Sequence, residues 1–209
     1  MESYFITGIG TDVGKTVISA IIAEALHADY WKPVQAGDEG GTDSEWIKEM
    51  LTNKISVIHN ECYKLKLPAS PHIAAHEEGI EISLDKIADE KPVTGNVLII
   101  EGAGGIMVPL NRNEFVIDLI KKLDATVIIV SKNYLGSINH SLLTAKVLTE
   151  NKIKVLGWIF NDNYLDYEAE ITDWSGFPWI ASVRNLPEIN KDVIHVQSVK
   201  MKEHLNLFL

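Results

Sequence analysis

The sequence predicts an α/β fold: a doubly wound, mostly parallel sheet flanked by helices. Three observations predict it. Apolar strand-like runs alternate with stretches whose apolar residues recur at helical spacing, from one end of the chain to the other. Two of the runs, Asn96–Ile100 (NVLII) and Thr126–Ser131 (TVIIVS), are apolar without polar alternation, as strands covered on both faces must be. A glycine-rich segment stands between the first strand and the first helix, the position at which such folds bind ligands.

In order, Ser3–Thr7 (SYFIT) is a short β-type run, and Lys15–His27 carries apolar residues at helical spacing. Asp29–Val34 (DYWKPV) reads as a second strand ending at Pro33, and Asp43–Leu51 as a helix. After Asn96–Ile100, a helix is expected over Glu114–Leu123, then the strand Thr126–Ser131 and a helix over Ser137–Glu150. Val155–Phe160 (VLGWIF), a helix near Asp166–Trp174, the strand Trp179–Ser182 and a short C-terminal helix complete the alternation. Strand, helix, strand in this order implies parallel pairing through right-handed crossovers. Residues 54–95 are less regular and read as an insertion or lid, with 1–209 otherwise one domain.

The composition bounds the function. A chain of 209 residues, 46% hydrophobic and 23% charged, suits one α/β domain with a substantial core. No apolar run approaches about 18 residues and no signal-like N-terminal segment is visible, so neither export nor a membrane span is expected. The single cysteine, Cys62, excludes an internal disulfide and fits a reducing cytoplasm. A net charge of −10 argues against general nucleic-acid binding, which needs a basic face.

The segment GIGTDVGKT, residues 8–16, raises the first chemical question. A phosphate-binding loop has a glycine, four residues, then Gly-Lys-Ser/Thr. Here Gly14-Lys15-Thr16 supply the end, but the opening glycine, Gly8, lies one residue too far back. The end carries the chemistry. Backbone N–H groups can cradle phosphate oxygens, Lys15 can neutralise charge, and the Thr16 hydroxyl can bind Mg²⁺. The extra residue only lengthens the loop before it. A dinucleotide fingerprint fits less well: its third glycine comes late, and Trp31-Lys32 stands where an acidic residue should hold the ribose. The reading is therefore a P-loop NTPase-like fold.

Further candidates follow the strands. Lys32 ends the second strand and is either a second positive charge aimed at phosphates or a surface lysine. Asp43 opens a helix after Gly40-Gly41-Thr42, as an N-cap or as a Mg²⁺ carboxylate. Glu101 follows four apolar residues, where phosphate-loop ATPases keep their metal-side carboxylate. The glycines after it permit close backbone approach to a ligand. His72 and His140 read as structural hydrogen-bonding groups, and Cys62 as a plain half-buried residue.

Together these residues resemble the dethiobiotin synthetase family. The resemblance runs nearly the whole chain. It rests on GIGTDVGKT, KPVQAG at 32–37, Asp43, SPH at 70–72, EGAGG at 101–105, LGSINHSLLTA at 135–145 and Asn161-Asp162. The family loop usually reads G-T-D-T-x-V-G-K-T, so its long spacing matches the odd loop here. What the resemblance implies is a homodimer that uses ATP and Mg²⁺ to close the ureido ring of dethiobiotin from 7,8-diaminopelargonic acid and CO₂.

By resemblance, Lys15, Lys32 and Thr11 serve the chemistry and the substrate end. The segment Asp12, Val13, Gly14, Lys15, Thr16 and Val17 binds phosphates. Thr16, Asp43 and Glu101 hold Mg²⁺, and Gly102, Ala103 and Gly104 border the nucleotide. Ser70, Pro71, Gly136 and Asn139 meet the substrate, the last two from the neighbouring subunit. Asn161 and Asp162 meet the base, with Val183–Asn185 lining it. Departures from the family pattern are Ile9, Gly10, Ala36 (where a hydroxyl is usual) and Val183-Arg184 in place of an Ile-Pro run.

Rival classes leave features unexplained. A partitioning or cell-division ATPase would carry a lysine at the position of Gly10. An amidating synthetase needs a glutaminase partner domain with a nucleophilic cysteine. A nonenzymatic phosphate-binding module has no use for Lys32 and Glu101.

Overall fold

The computed structural model describes residues 2–162, 164–184 and 186–208. The strands are β1 (Ser3–Gly8), β2 (Asp29–Trp31), β3 (Val34–Ala36), β4 (Ile58–His59), β5 (Tyr63–Leu65), β6 (Leu98–Gly105), β7 (Thr126–Lys132), β8 (Val155–Asn161) and β9 (Trp179–Val183). The helices are α1 (Lys15–Leu26), α2 (Asp43–Met50), α3 (Pro71–Glu77), α4 (Leu84–Asp89), α5 (Val116–Leu123), α6 (Ser137–Glu150), α7 (Glu168–Ser175) and α8 (Lys191–Leu205). Seven strands form one sheet in the order β4-β2-β6-β1-β7-β8-β9, and every pair in it is parallel. This is the doubly wound architecture expected from the alternation of elements.

Alternation along each strand explains the all-apolar runs. Tyr4, Ile6, Ile99, Ile128 and Val130 face a core built with α1, α2 and α8. Phe5, Leu98, Ile100, Val127 and Ile129 face a second core built with α5, α6 and α7. Each central strand is therefore covered on both sides, which leaves no face for polar residues. Because the pairs are parallel, the carboxyl ends of β1, β2 and β6 open on one edge, at the point where the strand order reverses.

Four regions depart from the sequence-based reading by more than a residue or two. The second strand is broken: β2 stops at Trp31, and β3 leaves the main sheet to pair with β5. Pro33 causes the break, since it has no N–H for the ladder. Its carbonyl instead accepts from the backbone N–H groups of Cys62 and Tyr63, each at 3.0 Å. The strand β6 starts at Leu98 and runs on through Glu101 to Gly105, rather than stopping at Ile100. Its glycines make this continuation possible: a Cβ on Gly102 would lie 2.6 Å from the Phe5 ring. Residues 54–95 hold two short strands and two short helices, β4 extending the main sheet beside β2. The C-terminal helix α8 spans 15 residues, longer than expected, and is capped by Asn190, whose side chain accepts from Val193 N–H. No helix among the described residues is long and apolar enough to cross a membrane.

One buried carboxylate ties the helical layer together. Glu24 of α1 is 5% exposed and accepts from Thr52 N–H at 3.0 Å, Asn53 N–H at 3.3 Å and Asn53 Nδ2 at 2.8 Å, and from the Thr52 hydroxyl. Burial alone would raise its pKa, but the bonds from Thr52 and Asn53 prevail and hold it at about 2. A carboxyl depressed in the folded state stabilises above its unfolded pKa and loses that contribution as pH falls toward the folded value. Glu24→Gln is therefore expected to cost about 2–3 kcal/mol at neutral pH. The difference from wild type should shrink as pH falls from about 4.5 toward 2, measured by urea denaturation across that range.

Candidate active site

The glycine loop leaves β1 at Gly8 and enters α1 at Lys15. Two residues make the turn by adopting left-handed backbone: Asp12 at φ 57° and Gly14 at φ 94°. Gly14 cannot carry a side chain, because a Cβ there would lie 2.2 Å from Asn161 Nδ2. Asn161, at the end of β8, donates from that same nitrogen to Val13 O at 2.9 Å and so braces the loop from behind. Gly14 is the N-cap of α1 with no side-chain cap, and the first turn has no acidic residue. The first-turn N–H groups and the positive end of the helix are thus open to an anion.

Lys15 is 7% exposed, and its ammonium donates to Gly10 O at 2.9 Å, curling over the loop. Burial lowers its pKa and the nearby Lys32 adds to this, against the opposing pull of Glu101, Asp43 and Asp12.

The second cation comes from the break after β2. Lys32, also 7% exposed, donates to Asp43 Oδ2 and, at 3.3 Å, to Glu101 Oε1. Burial works against its charge, but Glu101 and Asp43 outweigh burial and raise its pKa. It therefore stays an ammonium throughout the neutral range. Glu101 is 1% exposed and fully engaged: Oε1 accepts from the Thr16 hydroxyl at 2.9 Å and from Lys32, and Oε2 accepts from the Tyr30 hydroxyl at 3.0 Å. Asp43 is not the helix cap. Thr42 caps α2 by accepting from Glu45 N–H at 3.2 Å, while Glu45 accepts from Thr42 N–H at 2.9 Å. The Asp43 carboxylate is thereby left for Lys32, and its N–H donates to Gln35 Oε1 at 3.3 Å.

These groups line one cavity of about 800 Å³. It brings together the loop residues Thr11, Asp12, Gly14, Lys15, Thr16 and Val17 with Lys32, Asp43 and Glu101. Ala103 and Gly104 form one wall, and Ser70 and Pro71, at the start of α3, another. Two lysines, a helix N-terminus, the carboxylates of Asp43 and Glu101 and the Thr16 hydroxyl in one cavity suit a polyphosphate and a hard cation.

Other predicted residues lie outside that lining. Val13 is buried under the loop, Gly102 packs on Phe5, and Asn161 and Asp162 stand at the β8 end. Gly136 and Asn139 are exposed at the start of α6. Val183 ends β9 and Arg184 follows it, whereas Asn185 lies outside the described residues. Among the residues that were not anticipated, two hydrogen-bond to the site's polar groups. Gln35 lines the cavity and links Asp43 N–H to Gly37 O, to which its Nε2 donates at 2.9 Å. Tyr30 reaches Glu101 from within the core, and only the strand order, which no local pattern reveals, sets the two side by side.

Comparison with known proteins gives a consistent picture. A family model described as an AAA domain matches residues 2–193. The ATP-dependent dethiobiotin synthetase BioD of Cytophaga hutchinsonii is 50% identical over 203 residues, covering 96% of this chain and 97% of that protein. That of Christiangramia forsetii is 46% identical over 205 residues, with 98% of each chain covered. That of Paramagnetospirillum magneticum is 38% identical over 196 residues, with 93% of each covered.

Among solved structures, a plasmid partition protein from Borrelia burgdorferi bound to AMPPNP aligns with a TM-score of 0.62 at 11% identity, covering 100% of this chain and 99% of that one. The septum site-determining protein MinD of Pyrococcus horikoshii, complexed with Mg-ADP, aligns at 0.58 and 13% identity, covering 96% and 86%. At such identities the likeness to partition and cell-division ATPases is one of fold. The chain belongs to the family of the dethiobiotin synthetases.

Proposed function

We propose that this member of the family makes dethiobiotin, joining 7,8-diaminopelargonic acid and CO₂ at the expense of ATP. One observation carries the reading: Lys15 and Lys32 enter a single cavity beside the open N-terminus of α1, with Thr16, Asp43 and Glu101 next to them. Such a cavity suits a reaction whose main barrier is the meeting of two anions.

In the proposed reaction one substrate amine takes up CO₂ and loses a proton, giving a carbamate. A carbamate oxygen attacks the γ-phosphorus, the bond to the β-phosphate oxygen breaks, and ADP leaves. The product is a mixed carbamic–phosphoric anhydride. The second amine then attacks the carbonyl carbon, the bond to the phosphoryl oxygen breaks, phosphate departs and the amine proton goes to solvent. The carbamate is already ionised, so phosphoryl transfer demands no general base. Lys15 and Lys32 offset the repulsion between carbamate and γ-phosphate, and Thr11 steadies the substrate end. The N–H groups from Asp12 to Val17 hold the phosphates, with Ala103, Gly104 and the preceding Gly102 beside them.

Thr16, Asp43 and Glu101 fit Mg²⁺, since all three offer hard oxygen donors. No group of three or more His, Cys, Asp or Glu residues among those described could hold a metal unaided, so phosphate and water would complete the coordination. Mg²⁺ held there would neutralise charge developing on the β- and γ-oxygens. Lys32 meanwhile pairs with both carboxylates and offsets part of their charge.

Asn161, Asp162 and the Val183–Arg184 segment are assigned to the adenine end. Ser70 and Pro71 are assigned to the substrate, as are Gly136 and Asn139 from the second subunit of a homodimer. The exposure of Leu135 (85%) and Leu143 (54%) beside that turn supports a partner surface there. The chain is read as one domain, 1–209, in which residues 54–95 are an insertion or lid that brings Ser70 and Pro71 to the cavity. It is assigned to the cytoplasm, with no nucleic-acid or membrane partner. Incubation with MgATP, 7,8-diaminopelargonic acid and ¹³C-bicarbonate tests the reaction. Dethiobiotin one mass unit heavier than the unlabelled product is expected. Nucleotide hydrolysis without that product would overturn the reading.

A further inference from the structure

We infer that Tyr30 is a positioning residue of the metal and phosphate site, acting through Glu101. The inference rests on the reading of Glu101 as a Mg²⁺ carboxylate. Tyr30 sits in the middle of β2, is fully buried, and belongs to the core beneath α1 and α2 rather than to the cavity lining. From there its hydroxyl reaches Glu101 Oε2 at 3.0 Å.

The chemistry of this contact allows only one arrangement. The Tyr30 hydroxyl is the donor of this bond and Glu101 Oε2 its acceptor. A protonated phenol beside a carboxylate donates. The two Glu101 oxygens are thereby made unequal. Oε2 is committed to the core, and Oε1 alone faces Thr16 at 2.9 Å and Lys32 at 3.3 Å. A glutamate carboxylate rotates about its last torsion with a broad, two-fold preference. Without the Tyr30 hydroxyl it could turn toward the lysine, or present both oxygens to a cation. With it, the carboxylate is fixed to present one oxygen, beside the hydroxyl of Thr16.

The core around Tyr30 gives this donor a firm base. Its neighbours across the strand pairs are Ile99 and Ile58, and helices α1 and α2 pack over it with Ile18, Ile22 and Ile47 in the same cluster. Asp29 and Trp31, on either side, point to the opposite face: Trp31 joins the other core and donates its indole N–H to Asn60 O at 3.1 Å. No neighbour of Tyr30 in β2 can therefore replace it as a donor to Glu101.

Tyr30→Phe removes one hydroxyl and conserves the ring. Loss of such an outer partner typically costs roughly 10–100-fold in metal affinity or activity. The readout is Mn²⁺ binding in the presence of ADP, followed by the disappearance of the free-ion electron paramagnetic resonance signal, with steady-state kinetics beside it. The expected result is Mn²⁺ affinity weaker by roughly 10-fold or more. The Mg²⁺ needed for half-maximal turnover should rise in parallel, while KM for 7,8-diaminopelargonic acid stays within about 2-fold. In a Glu101→Gln background the further change Tyr30→Phe should leave Mn²⁺ affinity unaltered, because the hydroxyl then has no carboxylate to orient.

Wild-type Mn²⁺ affinity in Tyr30→Phe would overturn the inference and leave the metal reading intact, whatever the change in melting temperature. An equal loss in both backgrounds would also overturn it, marking Tyr30 as packing only. Failure of the wild-type protein to bind Mn²⁺ with ADP would overturn the metal reading and the inference together.

Discussion

Replacing Lys32 by alanine is expected to lower kcat by roughly 10³-fold while nucleotide affinity in excess Mg²⁺ changes only a few-fold. Lys32 is the cation that does not belong to the loop. It arrives from the β2–β3 break, lines the same cavity as Lys15, and is held by Asp43 and Glu101. The phosphates keep the loop N–H groups, Lys15 and Thr16 in the variant, so binding survives. On the proposed mechanism, what is lost is positive charge where the carbamate would meet the γ-phosphate, and that loss would act on the transition state. A second effect accompanies it. Removing the ammonium leaves two neighbouring carboxylates uncompensated, of which Glu101 is buried, and breaking a buried pair costs about 3–5 kcal/mol. Without Mg²⁺ the variant should melt early, and saturating Mg²⁺ should restore much of the stability but not the turnover. Melting curves and steady-state rates with and without Mg²⁺ separate the two effects. Recovery of turnover along with stability would remove Lys32 from the chemistry.

Glu101→Gln is expected to be nearly as damaging, for a different reason. The wild-type carboxylate accepts from Thr16, Lys32 and Tyr30 at once. Glutamine has one acceptor oxygen and one donor nitrogen, so in either orientation its nitrogen faces a donor. A buried donor left unsatisfied costs about 1–3 kcal/mol. The charge that would hold Mg²⁺ is also gone. Activity at saturating Mg²⁺ should fall by roughly 10²-fold and half-saturation should rise by at least about 10-fold. Nucleotide affinity without metal should stay near wild type. An unchanged Mg²⁺ titration would make Glu101 a purely structural residue.

Both residues were visible in the sequence, and the reason is local. Glu101 follows an apolar run, Lys32 follows another, and the loop spacing is read over nine residues. Each signal needs only its own neighbourhood. The features that escaped are non-local. The pairing of β3 with β5 joins residues nearly thirty positions apart and involves three residues on each strand, too few for a periodic signal. Continuation of β6 through its glycines depends on Phe5 lying beneath Gly102, a contact made across the sheet. Thr42 took the capping role open to Asp43, because the Glu45 side chain completes the box with it. Tyr30 read as one apolar strand residue among several. Its function follows from the β2–β6 pairing, where Tyr30 stands opposite Ile99, two residues before Glu101. Residues 54–95 lacked a periodic pattern because their strands and helices are short and draw their order from the sheet edge and the cavity wall.

Phosphate release from MgATP by the purified protein, with and without 7,8-diaminopelargonic acid and bicarbonate, tests the carbamate-activation mechanism most directly. Release that requires both is the expected result, since phosphoryl transfer then awaits a carbamate. Release that is indifferent to both would keep the phosphate-binding loop but contradict ring closure as the reaction of this site.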